Sequence, residues 1–294
     1  MRLRNRSRSS GDDVQQQPAD RYAPQRARGA GRLVTKAFGG RTRLAEFYQE
    51  GCAKIRLPET FSPEMEAILI NTSGGLTGGD VIEWSVAAAA STRLTVTTQA
   101  NEKIYKAAAG TASVSTHVTV GEDASVHWLP QETILFDQAS LTRRLDVDLS
   151  ETSEFLAVEA VLLGRKAMGE AVAHGFFRDR WRVRRSGQLI HAEEMKFEGE
   201  IEQLSQAAAV LSGQVAFATL FYTGPLAEML FPKLRQILDD IPGGASLWTG
   251  GASHWNGKLI ARLVAPTGFE LRKILTPAIS VLRNGAPVPK VWNI

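Results

Sequence analysis

The chain has one cysteine, Cys52, in 294 residues. An internal disulfide framework is therefore excluded, and so is a zinc site built on several thiolates. A reducing cytoplasm is the expected setting. Long apolar runs are missing too. The longest uncharged stretch, Gln203 to Ala227, is interrupted by three Gln, two Ser and two Gly, so a buried strand followed by a turn is expected there and no membrane span. The opening residues have no apolar h-region of the secretory kind. The five histidines, at 117, 127, 174, 191 and 254, never stand three or four apart, so no two make a helical metal pair. Neither G-x-S-x-G nor G-x-G-x-x-G occurs.

Lysine and apolar residues are scarce in one place. Residues 1 to 32 hold eight Arg, no Lys and three Asp, a net of +5. The rest keeps 26 of the 34 basic and 28 of the 31 acidic residues and is mildly acidic. A segment of Arg, Ser, Gln, Pro and Gly cannot offset the entropy of ordering by burying surface. Residues 1 to 32 are expected to form a disordered basic tail, and residues 33 to 294 one domain. A basic arm for nucleic acid is the functional alternative for the tail, and no nucleic-acid partner is expected of the body.

In the body the dominant period is two. Leu94 and Val96, then Val114, Val118 and Val120, then Leu145, Val147 and Leu149 alternate with polar residues. "RVRRSGQLIHAEEMKFEG" reads as two strands around Ser186-Gly187. Helical stripes come late. Leu226, Met229, Leu230, Leu234, Ile237, Leu238 and Ile241 make one, with a kink expected at Pro232, and Leu271, Ile274, Leu275, Ile279 and Leu282 make another that stops at Gly285. The expected fold is mainly β: two packed or wrapped antiparallel-rich sheets with two α-helices in the C-terminal half.

The segment "NTSGGLTGGD", residues 71 to 80, raises the possibility of a phosphate cradle. Gly74 and Gly79 have Walker spacing, but Asp80 stands where that loop requires Lys, and "VIEWSV" after it alternates like a strand. An anion would meet a carboxylate, so a glycine-rich bend is the better reading. Other acidic or mixed loops follow: "LPQETILFDQ" with Glu132 and Asp137, and "GRKAMGE" with Arg165 and Glu170. Strand-end carboxylates can hold a divalent cation transiently, because oxygen ligands exchange quickly. They can equally be solvated or salt-bridged loop residues. Physical reading alone stops at a soluble β-rich domain with no evident enzyme site.

Taken in order, "GGLTGGD" at 74 to 80, "TTQANEKIYKA" at 97 to 107, "WLPQETILFD" at 128 to 137, "LGRKAMGE" at 163 to 170 and the closing "PKVWNI" resemble the urease accessory protein UreD family, also called UreH. "GRTRLAEFYQEGCAKIRLP" at 40 to 58 fits that family's first strands. The chain departs from the family at "NTS", where members often carry His-Pro or Pro-Pro, at "IYKA", where many have aromatic-Tyr-Arg-Ser, and in the basic tail.

The resemblance implies a mainly β, non-catalytic subunit that binds apo-urease together with UreF and the GTPase UreG and helps nickel reach the active site. No tightly bound cofactor and no membrane partner are implied, and nickel would be transient. Carried over to this sequence, Asp80, Glu132, Asp137 and Glu170 are expected as passage or assembly residues. Lys103, Tyr105, Gln131 and Arg165 would hold the loops, with Gly74, Gly75, Gly78, Gly79 and Trp292 shaping backbone and packing. The competing expectation is a β-rich hydrolase using a carboxylate pair such as Glu132 and Glu170, which requires both in one cleft.

Overall fold

The computed structural model describes residues 25–165, 169–240 and 249–293. Seventeen strands among them form two sheets. The seven-stranded sheet contains β1 (Arg28–Phe38), β2 (Arg41–Gly51), β5 (Val81–Ala88), β8 (Ala112–Val120), β11 (Ser140–Leu149), β13 (His174–Arg185) and β14 (Gln188–Glu200), in the order β14-β13-β11-β8-β5-β1-β2. The second sheet runs through β3 (Ala53–Arg56), β4 (Met65–Asn71), β6 (Arg93–Thr98), β9 (Ser125–Leu129), β12 (Glu154–Leu163), β15 (Ala216–Thr223), β17 (Lys258–Ala265) and β16 (Thr249–Trp255). Two short strands, β7 (Glu102–Ile104) and β10 (Thr133–Leu135), attach beside β12.

The mainly β character and the two sheets match expectation, but the strand sense does not. From β4 to β13 the longer strands fall alternately in the two sheets, so each winding adds a strand in the same direction. Hence β1, β5, β8, β11 and β13 pair parallel, as do β4, β6, β9 and β12. Antiparallel pairs are confined to the flanks of these blocks. A period of two reports which face is buried and is identical for both senses, which is why the antiparallel-rich reading needs this correction.

Inward residues of both sheets make the first core. Leu141, Leu145, Val147, Phe177, Trp181 and Val183 come from one side, and Val126, Phe155, Val161, Phe217 and Phe221 from the other. The outer face of the second sheet is covered by α2 (Ala227–Asp240) and α3 (Gly268–Leu282), giving a second core. β15 is therefore buried at every residue, and the uncharged run that contains it is a central strand, as such a two-sided environment demands. Among the described residues no helix is long and apolar enough to cross a membrane.

Both late stripes form helices. Leu230, Leu234 and Leu238 are buried on α2, which continues through Pro232, while Met229 is exposed; Ile241 lies outside the described residues. On α3 all five expected positions are buried. Thr267 caps its start by accepting from Glu270 N, and the chain leaves through Asn284 and Gly285, both at positive φ, with Gly285 N bonded to Ser280 O. A third, short helix, α1 (Ile201–Gln206), follows β14; at one and a half turns it has no stripe to read. The turn at Ser186-Gly187 has φ of 46° and 81°, the left-handed pair that a tight hairpin requires.

The expected tail boundary after Arg32 falls inside β1. Arg28 to Arg32 pair with Val81 to Ser85 on one side, and Gly29 to Arg32 pair with Gly51 to Tyr48 on the other, so ladders on both edges order residues that are poor in apolar area. Gly31 permits this: a Cβ there would stand 2.4 Å from the Trp84 ring. Residues 1–24 of the expected tail lie outside the described residues.

Candidate functional site

The glycine-rich loop connects β4 to β5 and is fastened by its own acid. Asp80 is buried; its Oδ2 accepts from Thr77 N at 2.8 Å and its Oδ1 from Ala27 N at 2.9 Å. Both carboxylate oxygens are thus engaged by backbone amides, and those amides are closed to a phosphate. The glycines serve close approach. A Cβ on Gly75 would meet the Tyr105 ring at 2.4 Å and Lys103 O at 2.8 Å, and one on Gly78 would meet Ala109 O at 2.3 Å. Gly74 and Gly79 sit at φ of 77° and 91°.

Successive windings bring the other motif loops alongside. Leu76 bridges Ile104 in parallel, Lys103 pairs with Ile134, and Ile134 pairs with Leu162. The ladder places "GGLTGGD", "NEKIYKA", "ETILFD" and "LGR" side by side at one end of the molecule. A stack runs across them, with the buried Phe136 at its centre. Glu170 accepts from Arg165 Nε at 2.9 Å, the Arg165 guanidinium lies 4.7 Å from the Phe136 ring, Phe136 lies 5.0 Å from Tyr105, and the Tyr105 hydroxyl donates to Gly74 O at 3.4 Å. Asp137 Oδ1 accepts from His174 N, which holds its carboxyl below the usual range. The side chain of Lys103 is exposed.

Beside this ladder lies a cleft of about 570 Å³, lined by Asn71, Gly74, Thr98, Glu102, Lys103, Gln131 and Arg272 among others. Its floor is tied by Arg272 from α3. Arg272 donates to both oxygens of Glu132 at 2.6 and 2.7 Å, to Gln131 Oε1 at 3.0 Å and to Trp292 O at 2.9 Å. Trp292 in turn donates from Nε1 to Thr97 Oγ1. Gln131, Glu132 and Trp292 therefore belong to one network that joins the "PQE" loop to "PKVWNI". In the same cleft Glu102 accepts from Asn71 at 3.0 Å, and burial pushes its carboxyl up to about 7.

A second polar cluster lies between the sheets. Arg143 pairs with Asp179 through Nε at 3.1 Å and Nη2 at 2.7 Å, with Glu159 through Nη1, and donates to Thr133 Oγ1 at 3.0 Å. Trp128 Nε1 donates to Glu159 at 2.9 Å and Trp181 Nε1 to Asp179 at 3.1 Å. One cation faces two carboxylates, and burial raises Glu159 to about 7.

Arg272, Asn71, Glu102 and the Arg143 cluster have no counterpart among the residues expected from sequence. Glu102 lies inside a quoted motif, yet its burial follows from folding alone. Glu132 and Glu170 do not share a cleft: Glu132 is clamped by Arg272, whereas Glu170 borders a separate recess of about 150 Å³ with Val172, Glu202 and Ser205. Among the described residues no three His, Cys, Asp or Glu are grouped so as to hold a metal ion.

The family model for the UreD urease accessory protein matches residues 27–293. The chain belongs to the UreD family. It is 63% identical over 286 residues to the urease accessory protein UreD of Agrobacterium fabrum (strain C58 / ATCC 33970), covering 97% of each chain. Against the UreD of Rhizobium leguminosarum bv. viciae it is 65% identical over 271 residues, covering 92% of this chain and 97% of the relative. The Chelativorans sp. (strain BNC1) UreD is 49% identical over 279 residues, covering 95% and 98%. The UreD match opens at residue 27, at the threshold of β1 and beside the Ala27 amide that Asp80 binds. The clamped loops and the cleft thus lie wholly within the UreD portion of the chain.

Proposed function

We propose that this chain is a non-catalytic component of cytoplasmic urease maturation, binding apo-urease together with UreF and UreG and assisting nickel delivery to the urease active site. The observation that carries the reading is the UreD match over nearly all of the described chain. The site chemistry agrees with a handling role. The polar groups of the motif end are oxygen donors tied to backbone amides or to arginines, which suits brief, exchangeable ligation of a passing cation and not its retention. Asp80, Glu132 and Asp137 then act chiefly by fixing the loops, through their bonds to Ala27, Arg272 and His174. Among the carboxylates of the motif loops, Glu170 and Glu102 line recesses, and they are the ones to meet nickel in transit. The test is co-purification: the tagged chain, co-expressed with urease structural subunits, UreF and UreG, is expected to retain all three. Failure to retain urease with these cognate partners overturns the proposal.

A further inference from the structure

The hairpin of β1 and β2 carries an unusual free edge. β2 ends the seven-stranded sheet and its one strand partner is β1; the Thr42 amide donates to Pro63 O at 2.9 Å, so the open edge begins at Arg43. Every residue from Arg43 to Gly51 is exposed, including Leu44, Phe47 and Tyr48, with Phe38 nearby. Ala45 is the extra residue of a bulge, since Val34 pairs with Glu46 and Thr35 with Leu44. The bulge sorts the side chains. Leu44 and Phe47 share the face of the buried Thr35 and Leu33, whereas Arg41, Arg43, Glu46, Tyr48 and Glu50 share the other face with Arg32 and Lys36. An open strand edge with clustered apolar side chains is a template for another strand.

The order of charge selects the occupant. The outer face of β2 is basic at its start and acidic at its end, so the strand run antiparallel to itself sets each basic end against an acidic one. We propose that β2 pairs with β2 of a second copy of this chain across a twofold axis, joining two seven-stranded sheets into one. The register that puts Leu44 opposite Phe47 also puts Arg41 opposite Glu50. It puts Arg43 opposite Tyr48, flanked by Glu46 and Glu50, and each of these named pairs lies on a common face. Arg41 is held by Thr60 O and Ser62 O, and Glu46 by Arg32. The Arg43 side chain has no partner among the described residues. It is the group with most to gain. The inference does not rest on nickel handling.

Sedimentation velocity of the full chain tests it. The wild type is expected to form a dimer of 32.0 kDa chains. Arg43→Glu and Glu46→Arg each place like charges together and are expected to dimerise at least ~10-fold more weakly. Circular dichroism should show both still folded. Mixed in equal amounts, the two variants should restore the dimer, because each supplies the charge the other lacks. A wild type that stays monomeric at about 50 µM, which corresponds to negligible self-affinity, overturns the proposal. So does a folded pair of variants whose mixture fails to associate. Loss of urease co-purification by Arg43→Glu with unchanged self-association assigns the edge to a different protein and also overturns it.

Discussion

Arg272 and Glu132, 140 positions apart, form a two-pronged ion pair with Nε–Oε1 at 2.6 Å and Nη2–Oε2 at 2.7 Å. The Glu132 side chain is almost fully buried, and its hydrogen bonds raise the Arg272 pKa further above its ordinary value. Through the same guanidinium, α3, the "PQE" loop and the closing 3-10 turn Lys290–Asn293 become one unit. Arg272→Met leaves a buried carboxylate without its cation. A loss of about 3 kcal/mol in urea unfolding is expected, with Glu132→Gln milder because it removes the charge that needs a partner.

The glycine loop gives a graded prediction. Gly78→Ala forces a methyl group within 2.3 Å of the Ala109 carbonyl, backbone against backbone, and should cost about 2 kcal/mol or more. Gly74→Ala meets nothing within 4 Å and bears only the strain of its φ of 77°, about 1 kcal/mol. Thermal unfolding of the two variants should rank them in that order.

Glu102 makes stability depend on pH. Its folded-state pKa is pushed up to about 7 from an ordinary value of 4.5, so the folded chain binds a proton that the unfolded chain has released between those values. The contribution is fully present below about pH 4.5 and is lost as pH rises through about 7. Relative to Glu102→Gln, the wild type should therefore weaken across that window by on the order of 2 kcal/mol. Unfolding titrations of both proteins at pH 5 and pH 8 read this directly.

The cluster between the sheets separates its members. Arg143→Met strands Asp179 and Glu159 in the interior and is expected to cost about 3–5 kcal/mol or to prevent folding. Glu159→Gln should cost less, about 1–3 kcal/mol, because Asp179 still balances Arg143 while the new amide sets an NH2 against one of the two donors, Trp128 Nε1 or Arg143 Nη1. Denaturant midpoints for the two variants give the comparison.

These predictions fall where sequence was least informative. The alternation of Leu145, Val147 and Leu149, the stripe from Leu271 to Leu282 and the turn at Ser186-Gly187 were legible because each depends on neighbours a few residues away. The parallel sense of β5, β8 and β11 was hidden, since it depends on how the chain returns and not on which residues alternate. Asp80 and Glu132 stood out as loop carboxylates and Gln131 and Trp292 through the family resemblance, but their bonds to Ala27 and Arg272 arise from distant segments. Glu102 is an ordinary glutamate in sequence; only the surrounding windings bury it.

The most direct test of the central claim is the nickel content and urea-hydrolysing activity of urease matured in cells with and without this chain, with UreF, UreG and nickel supplied in both. The account predicts low nickel and low activity without the chain, both restored by the wild type and restored poorly by Gly78→Ala and Arg272→Met. Urease that acquires nickel and activity equally well in its absence would contradict it.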